Sequence, residues 1–238
     1  MRFPSLTLAA AGAALLTPAF LPAPATAVPA TAVPAGERPA ARGEGTVAAA
    51  DLLARAGTCT ELSQGRYRTD AGGPATVPVC GTRDAVFWTA DLDVDCDGRP
   101  TPHCNSATDP VFAATTAFQQ SDGRQLSAEH LPYIVVPAPS SRWDYRAHGV
   151  QGGSVAAVVH GDRVQYAVVG DTGPSDLIGE ASYAAAAGLG IDPDPVVGGV
   201  PSGVTYIVFR GSRISPIEDH AAAVAEGERL ARLFVAGG

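Results

Sequence analysis

The sequence contains no lysine: all 16 of its basic residues are arginine, set against 24 aspartates and glutamates, for a formal charge of −8. That balance excludes nucleic-acid binding through clustered positive charge. Charged residues are few, at 17%, but hydrophobic ones reach 46%, so the chain is not of the disordered class. Aromatics make up only 6% while there are 27 glycines, which favours a turn-rich fold with many short strands. A Gly-x-Ser-x-Gly elbow is absent, as is any Cys-x-x-Cys pair, and the five histidines lack paired-ligand spacing. These absences argue against a nucleophile-elbow hydrolase and a zinc site. Beyond the N-terminal segment no apolar run is long enough to span a bilayer.

The N-terminal segment reads as an address. Arg2 supplies a minimal positive start, Leu6 to Leu16 is a short apolar run, and Ala25-Thr26-Ala27 has the small-x-small pattern that a signal peptidase requires. Residues 1–27 are therefore expected to be a secretory signal, and the product to be secreted, with no membrane association in the mature form. Residues 28–45, rich in Pro, Ala and Gly, have linker composition. One folded domain is expected over residues 46–238, a length that can bury a substantial core.

Four cysteines, Cys59, Cys80, Cys96 and Cys104, make an even count in an exported chain and read as two disulfides. Three pairings exist; Cys59–Cys80 and Cys96–Cys104 are favoured because both close short loops.

Helical composition is found at Thr46–Ala56, Ser182–Gly188 and Asp219–Val235, the last with apolar residues at helical spacing. Strands are expected at Ala85–Cys96, Leu131–Val136 and Val204–Phe209. Ser154–His160 and Arg163–Gly170 flank Gly161-Asp162 and read as a hairpin. Several short strands with a few helices suggest a mainly β, barrel-like fold with peripheral helices.

Asp91, Asp93, Asp95 and Asp97 recur at every second position. In an extended strand alternate side chains share a face. That face would carry carboxylates alone, and unpaired buried carboxylates are costly, so it is expected to meet solvent, a metal or a cationic ligand. Asp93-x-Asp95-x-Asp97-Gly98 also matches the opening of a calcium loop, but the twelfth position, where a bidentate acid belongs, is Cys104.

A second feature is Asp171 after the apolar run Val168-Val169, with Glu180 nine residues on at the expected start of a helix. Two acids flanking a short loop suit glycosidic cleavage, which needs one carboxylic acid and one carboxylate. The plainer alternative is a turn cap and a favourable charge in a helix's first turn. Asp171-Thr172-Gly173 is also the triplet of aspartic proteases, but that chemistry pairs two aspartates and the chain holds one triplet, preceded by Gly170.

Phe87-Trp88-Thr89-Ala90-Asp91-Leu92-Asp93-Val94-Asp95-Cys96-Asp97-Gly98, Cys104-Asn105 and Asp109-Pro110 resemble the fungal and actinobacterial chitosanases of glycoside hydrolase family 75. So do Leu131-Pro132-Tyr133, Tyr166 to Pro174, Ile178-Gly179-Glu180-Ala181-Ser182, and Val204 to Phe209. The resemblance spans roughly residues 57 to 212 and does not extend to the final helix or the linker. It implies endo-hydrolysis of chitosan, a β-1,4-linked glucosamine polymer, with inversion, and places the catalytic pair on Asp171 and Glu180. It also implies a six-stranded barrel of the double-psi kind. Glu180 is expected as general acid and Asp171 as base.

Chitosan is cationic, so Asp91, Asp93 and Asp95 become candidate contacts for its ammonium groups. Tyr166 and Thr172 are further candidate substrate contacts; Tyr166, Tyr183 and Trp88 would offer sugar-stacking surface, and as core aromatics they are equally explicable. No cofactor or metal is expected, and a monomer suits an extended polymer. The competing class is a non-catalytic module that binds amino-sugar polymers or cell wall.

Overall fold

The computed structural model describes residues 43–237. The expected signal, and the linker up to residue 42, lie outside the described residues. Strands β1 (Cys80–Gly81), β2 (Ala85–Asp95), β3 (Tyr133–Pro137), β4 (Val155–His160), β5 (Arg163–Gly173), β6 (Glu180–Ser182) and β7 (Val200–Phe209) form one sheet. Its order is β1-β2-β6-β3-β5-β4-β7, and pairing of β2 with β7 closes six of the strands into a barrel, as the fold expectation required. Two of the barrel contacts are parallel, β2–β6 and β3–β5; the rest are antiparallel.

Both faces of the wall are covered, which explains why its strands read as near-continuous Val, Ala and Ile rather than as alternating patterns. Inside the barrel, Trp88, Ile134, Val158, Val169, Tyr206 and Val208 pack together. Trp88 stacks on Tyr206 with centroids 5.4 Å apart. Outside, Leu52, Phe87, Tyr166, Ile207, Phe209 and Phe234 fill the space beneath the helices. Each fully buried large aliphatic or aromatic side chain contributes about 1.5–3 kcal/mol relative to exposure.

The helices are α1 (Ala49–Ala56), α2 (Tyr183–Leu189) and α3 (His220–Ala236). Asp219 caps α3 by accepting from the Ala222 amide at 2.9 Å. Ser182 caps α2 by accepting from the Ala185 amide; its hydroxyl also donates to the Leu131 carbonyl and accepts from the Tyr133 amide. One buried oxygen thus joins β6, α2 and the entry to β3. Gly161, with φ of +60°, turns the β4–β5 hairpin. Cys59–Cys80 and Cys96–Cys104 are the disulfides, in the expected pairing. Among the described residues no helix is long and apolar enough to cross a membrane.

One irregularity positions the functional face. Tyr133 pairs with Val168 and Ile134 with Val169, but Val135 pairs with Asp171. Gly170 is therefore an extra residue, a bulge in β5. In a regular strand Asp171 would share the inward side of Val169; the bulge turns it to the outer side, with Val135. Glycine is needed there, since a Cβ would meet Tyr133 Cβ at 2.6 Å and Leu126 Cδ1 at 2.9 Å.

Candidate active site

Asp171 projects from the end of β5 and Glu180 opens β6, with β3 between them. Ile134 pairs with Ala181, which sets Val135 opposite Glu180 one step along. Asp171, Val135 and Glu180 therefore form a row across three strands on one outer face, and Asp93, paired with Glu180, extends it to β2. Neighbouring strands are about 4.8 Å apart, so the backbones at Asp171 and Glu180 are separated by about 9–10 Å. Glu180 leans toward β5: its Oε2 lies 2.7 Å from where a Cβ on Gly173 would stand.

The two acids line one cleft of about 300 Å³ with Asp95, Asp97 and Asp109, so five carboxylates face a single cavity that no arginine lines. Thr172, Pro174 and the exposed Val111 form part of its rim. The carboxylates are not equivalent. Burial pushes Glu180 up to about 7, and the charges of Asp93, Asp97 and Asp171 add to the rise. Burial also raises Asp171, but its Oδ1 accepts from the Ala117 amide at 2.8 Å and the Thr172 amide at 2.7 Å, and both bonds oppose the rise. These environments separate the pair: burial raises both acids, but the two amide bonds offset part of that rise at Asp171, so Glu180 keeps its proton more readily than Asp171 does.

Asp95 is raised well above the ordinary carboxylate range by burial, against an amide bond from Asp97 at 2.6 Å. Asp97 accepts from the Ala113 amide at 2.7 Å, and its carbonyl accepts from the Tyr133 hydroxyl at 3.0 Å.

Four expectations need correction. Asp91 does not share a solvated face with its neighbours. It is 4% exposed, walled in by Gly179 and outside the cleft, so it is closed to a polymer. Burial, then the charge of Asp93, pushes its carboxyl up to about 7, and a group that holds its proton escapes much of the desolvation cost assumed for a charged one. Glu180 is not in a helix's first turn but in β6, two residues before the Ser182 cap, so burial rather than a helix dipole sets its acidity. Tyr166 is fully buried beneath α3, where its hydroxyl donates to Glu228 at 3.1 Å; it sits in the outer core and cannot touch substrate. Trp88 is sealed inside the barrel and offers no stacking surface.

Asp93 is exposed beside Glu180 but does not line the cleft, whereas Asp95 and Thr172 do. Tyr183 lies in a neighbouring depression, stacked on His103 with centroids 5.4 Å apart. The calcium-loop reading fails on geometry as well as spacing, because Asp93 and Asp95 are in β2 and Cys104 is in a disulfide. Asp109 is a cleft residue that the sequence reading quoted in a motif without assigning it to the site. Its signal was its place in that motif beside Pro110.

Residues 92–231, more than half of the chain, match the family model described as fungal chitosanase of glycosyl hydrolase group 75. The match runs into α3, farther than the sequence resemblance reached, and begins within β2 rather than near residue 57. An endo-chitosanase of Aspergillus fumigatus is 31% identical over 144 residues, 55% of this chain and 60% of that protein. One from Aspergillus oryzae is 30% identical over 138 residues, 53% of this chain and 56% of that protein. Endo-chitosanase C of Aspergillus oryzae is 32% identical over 133 residues, 54% of this chain and 32% of the longer relative. The chain thus spans about half the length of the curated relatives it matches. With Asp171 and Glu180 both inside the matched segment, the chain belongs to glycosyl hydrolase group 75.

Proposed function

We propose that the chain is a secreted, endo-acting chitosanase that hydrolyses β-1,4 bonds between glucosamine units with inversion at the anomeric carbon. The observation that carries this reading is the row Asp171–Val135–Glu180, two acids on one face with a single apolar residue between them. A backbone separation of about 9–10 Å, with Glu180 leaning inward, suits the 6.5–9.5 Å carboxyl separation of inverting enzymes, roughly the space that a sugar bridge and one water require. The names of the Aspergillus relatives supply the substrate class.

Glu180, protonated because it is buried among acids, gives its proton to the glycosidic oxygen as the bond to the anomeric carbon breaks. Asp171, the more readily ionised of the two because the Ala117 and Thr172 amides offset part of its burial, takes a proton from a water that attacks that carbon from the opposite side. Asp97 and Asp109 bring negative charge to the cleft where the polymer's ammonium groups lie, Asp95, which holds its proton, offers an uncharged hydrogen-bonding group there, and Thr172 contacts the sugar at the rim. Aligned with the pair, these contacts convert attraction for a cationic polymer into register along it.

Residues 46–238 would act as one catalytic domain, as a monomer and without a cofactor. Two disulfides suit an oxidising compartment, in keeping with export after removal of residues 1–27. N-terminal sequencing of exported protein should begin at Val28.

The deciding experiment is NMR of products from defined glucosamine oligomers, with Asp171→Asn and Glu180→Gln alongside. Cleavage should release the α-anomer first. Each variant should lose roughly 10²–10⁴ in turnover with its circular dichroism unchanged. Binding to chitosan with no cleavage would favour a non-catalytic polymer-binding module instead, and near-normal turnover in both variants would overturn the assignment of the pair.

A further inference from the structure

We propose that Asp70, Asp91 and Asp93 form a binding site for one calcium ion on the outer side of β2, beside the catalytic cleft and separate from it. Each offers one carboxylate oxygen, and these oxygens all lie within 4.8 Å of one another. None of the three lines the cleft. The second observation is Asp91 itself: it is 4% exposed, and its buried Oδ1 has no hydrogen-bond partner. An orphaned buried carboxylate oxygen is costly, and a ligand would satisfy it. The backbone is shaped around that side chain, because Gly179, at φ of +118°, leaves out the Cβ that would strike Asp91 Oδ1.

Among the described residues no arginine or histidine forms an ion pair with Asp70, Asp91 or Asp93. Arg68, two residues from Asp70, is directed to Asp176 at 3.9 Å and bonds the Gly73 carbonyl. Asp70 and Asp93 are exposed, so the outer side of the triad is open to water ligands. An all-carboxylate set selects a hard cation over zinc or copper. Calcium accepts several carboxylates in a flexible geometry, whereas magnesium demands a near-ideal octahedron and keeps most of its waters with one or two carboxylates, so a set of three carboxylates suits calcium.

A bound ion would tie the segment bearing Asp70 to β2, one strand away from Glu180 through the Asp93–Glu180 pairing. It would also set positive charge on the flank of a cleft that holds five acids.

The test uses the full chain freed of metal by a chelator, titrated calorimetrically with calcium chloride at neutral pH and melted with and without calcium. One calcium per chain and a higher melting temperature are expected, with magnesium giving a weaker response. Asp70→Asn and Asp93→Asn, both at exposed positions, should each weaken binding by about tenfold or more, since affinity follows the charge of the ligand set. Asp91→Asn should do the same, and should it fail to fold, the two exposed variants decide. Glu180→Gln should titrate like the parent, which makes the outcome independent of the catalytic assignment. No heat and no change in melting at millimolar calcium would overturn the proposal. So would parent-like binding by the Asp70 and Asp93 variants, or an equal response to magnesium.

Discussion

Glu180 Oε2 occupies space that a side chain on Gly173 would need: the missing Cβ would fall 2.7 Å from it and 3.2 Å from Val135 Cγ1. Gly173 ends β5, two residues after Asp171 on the same side of the strand, so the absence of an atom on one catalytic strand lets the acid of another reach inward.

Gly173→Ala should therefore lower turnover without unfolding the protein. The atom it would strike is the end of a flexible side chain, so the Glu180 carboxylate swings aside rather than the backbone. Misplacement of a catalytic group by about 1 Å costs up to roughly a hundredfold. Steady-state kinetics should show a fall of roughly tenfold to a hundredfold in kcat, while the thermal midpoint stays near that of the parent. Unchanged kcat would mean that the position of Glu180 is not set from β5.

The acidities of the pair predict a pH profile. Burial lifts Asp171 above its ordinary value, so the acid limb of kcat/KM should lie above the usual aspartate range. The alkaline limb should lie near 7, where Glu180 loses the proton it must deliver. Stability follows the same groups. The folded pKa of Glu180 is raised, so its contribution is full below the unfolded carboxylate value and is lost as pH rises through about 7. Glu129 and Glu228 act in the opposite sense. Burial works against their charged forms, but bonds from Thr101 and His103, and from Thr46, Arg232 and Tyr166, hold each at about 2. Their contribution is present above the unfolded carboxylate value and is lost as pH falls toward 2. Melting curves recorded with chelator present should peak in mildly acidic buffer and fall on both sides. A maximum above pH 8 would contradict the protonated state assigned to Glu180.

What the sequence disclosed follows from the range of the interactions involved. Helices, hairpin and disulfide pairing depend on neighbours, so Asp219, Gly161 and the close spacing of Cys96 and Cys104 announced them. The alternation of β2 was also legible from the spacing of its aspartates, and Leu92, between two of them, lies in the inner core. The fate of the odd-numbered side was not, because Asp91 is buried by Gly179 and the approach to β6, contacts of long sequence separation. Tyr166 was open to two roles, sugar stacking or core, because an aromatic residue on a strand suits either; its side of β5 faces α3, more than fifty residues away in sequence, and that decides for the core. Glu180 was mistaken for a helical residue because Ser182 does cap a helix; a three-residue strand before a cap leaves no periodic signal.

Tyr166→Phe tests that correction. The hydroxyl bonds Glu228, which also accepts from Thr46 and Arg232, so the change removes one member of a network joining β5, α3 and the entry to α1. A net loss of about 0.5–1.5 kcal/mol is expected, read as an earlier urea midpoint with an unchanged slope. Turnover of chitosan should equal that of the parent. A drop in kcat without a change in stability would return Tyr166 to the substrate.

Gly170→Ala tests whether the bulge creates the site. A methyl group there would press on Tyr133 Cβ at 2.6 Å, and Tyr133 is fully buried with its hydroxyl bonded to Asp97, so the ring has nowhere to go. The backbone of β5 must shift instead, and the residue after it is Asp171. Overpacking of this kind costs about 1–3 kcal/mol, so denaturant unfolding should move by that amount. Because the strain falls on the residue that turns Asp171 outward, kcat should drop together with stability, unlike the Gly173 variant, in which only turnover falls. A destabilised protein with full turnover would show that Asp171 keeps its place without the bulge, and the link between the extra residue and the catalytic face would be lost.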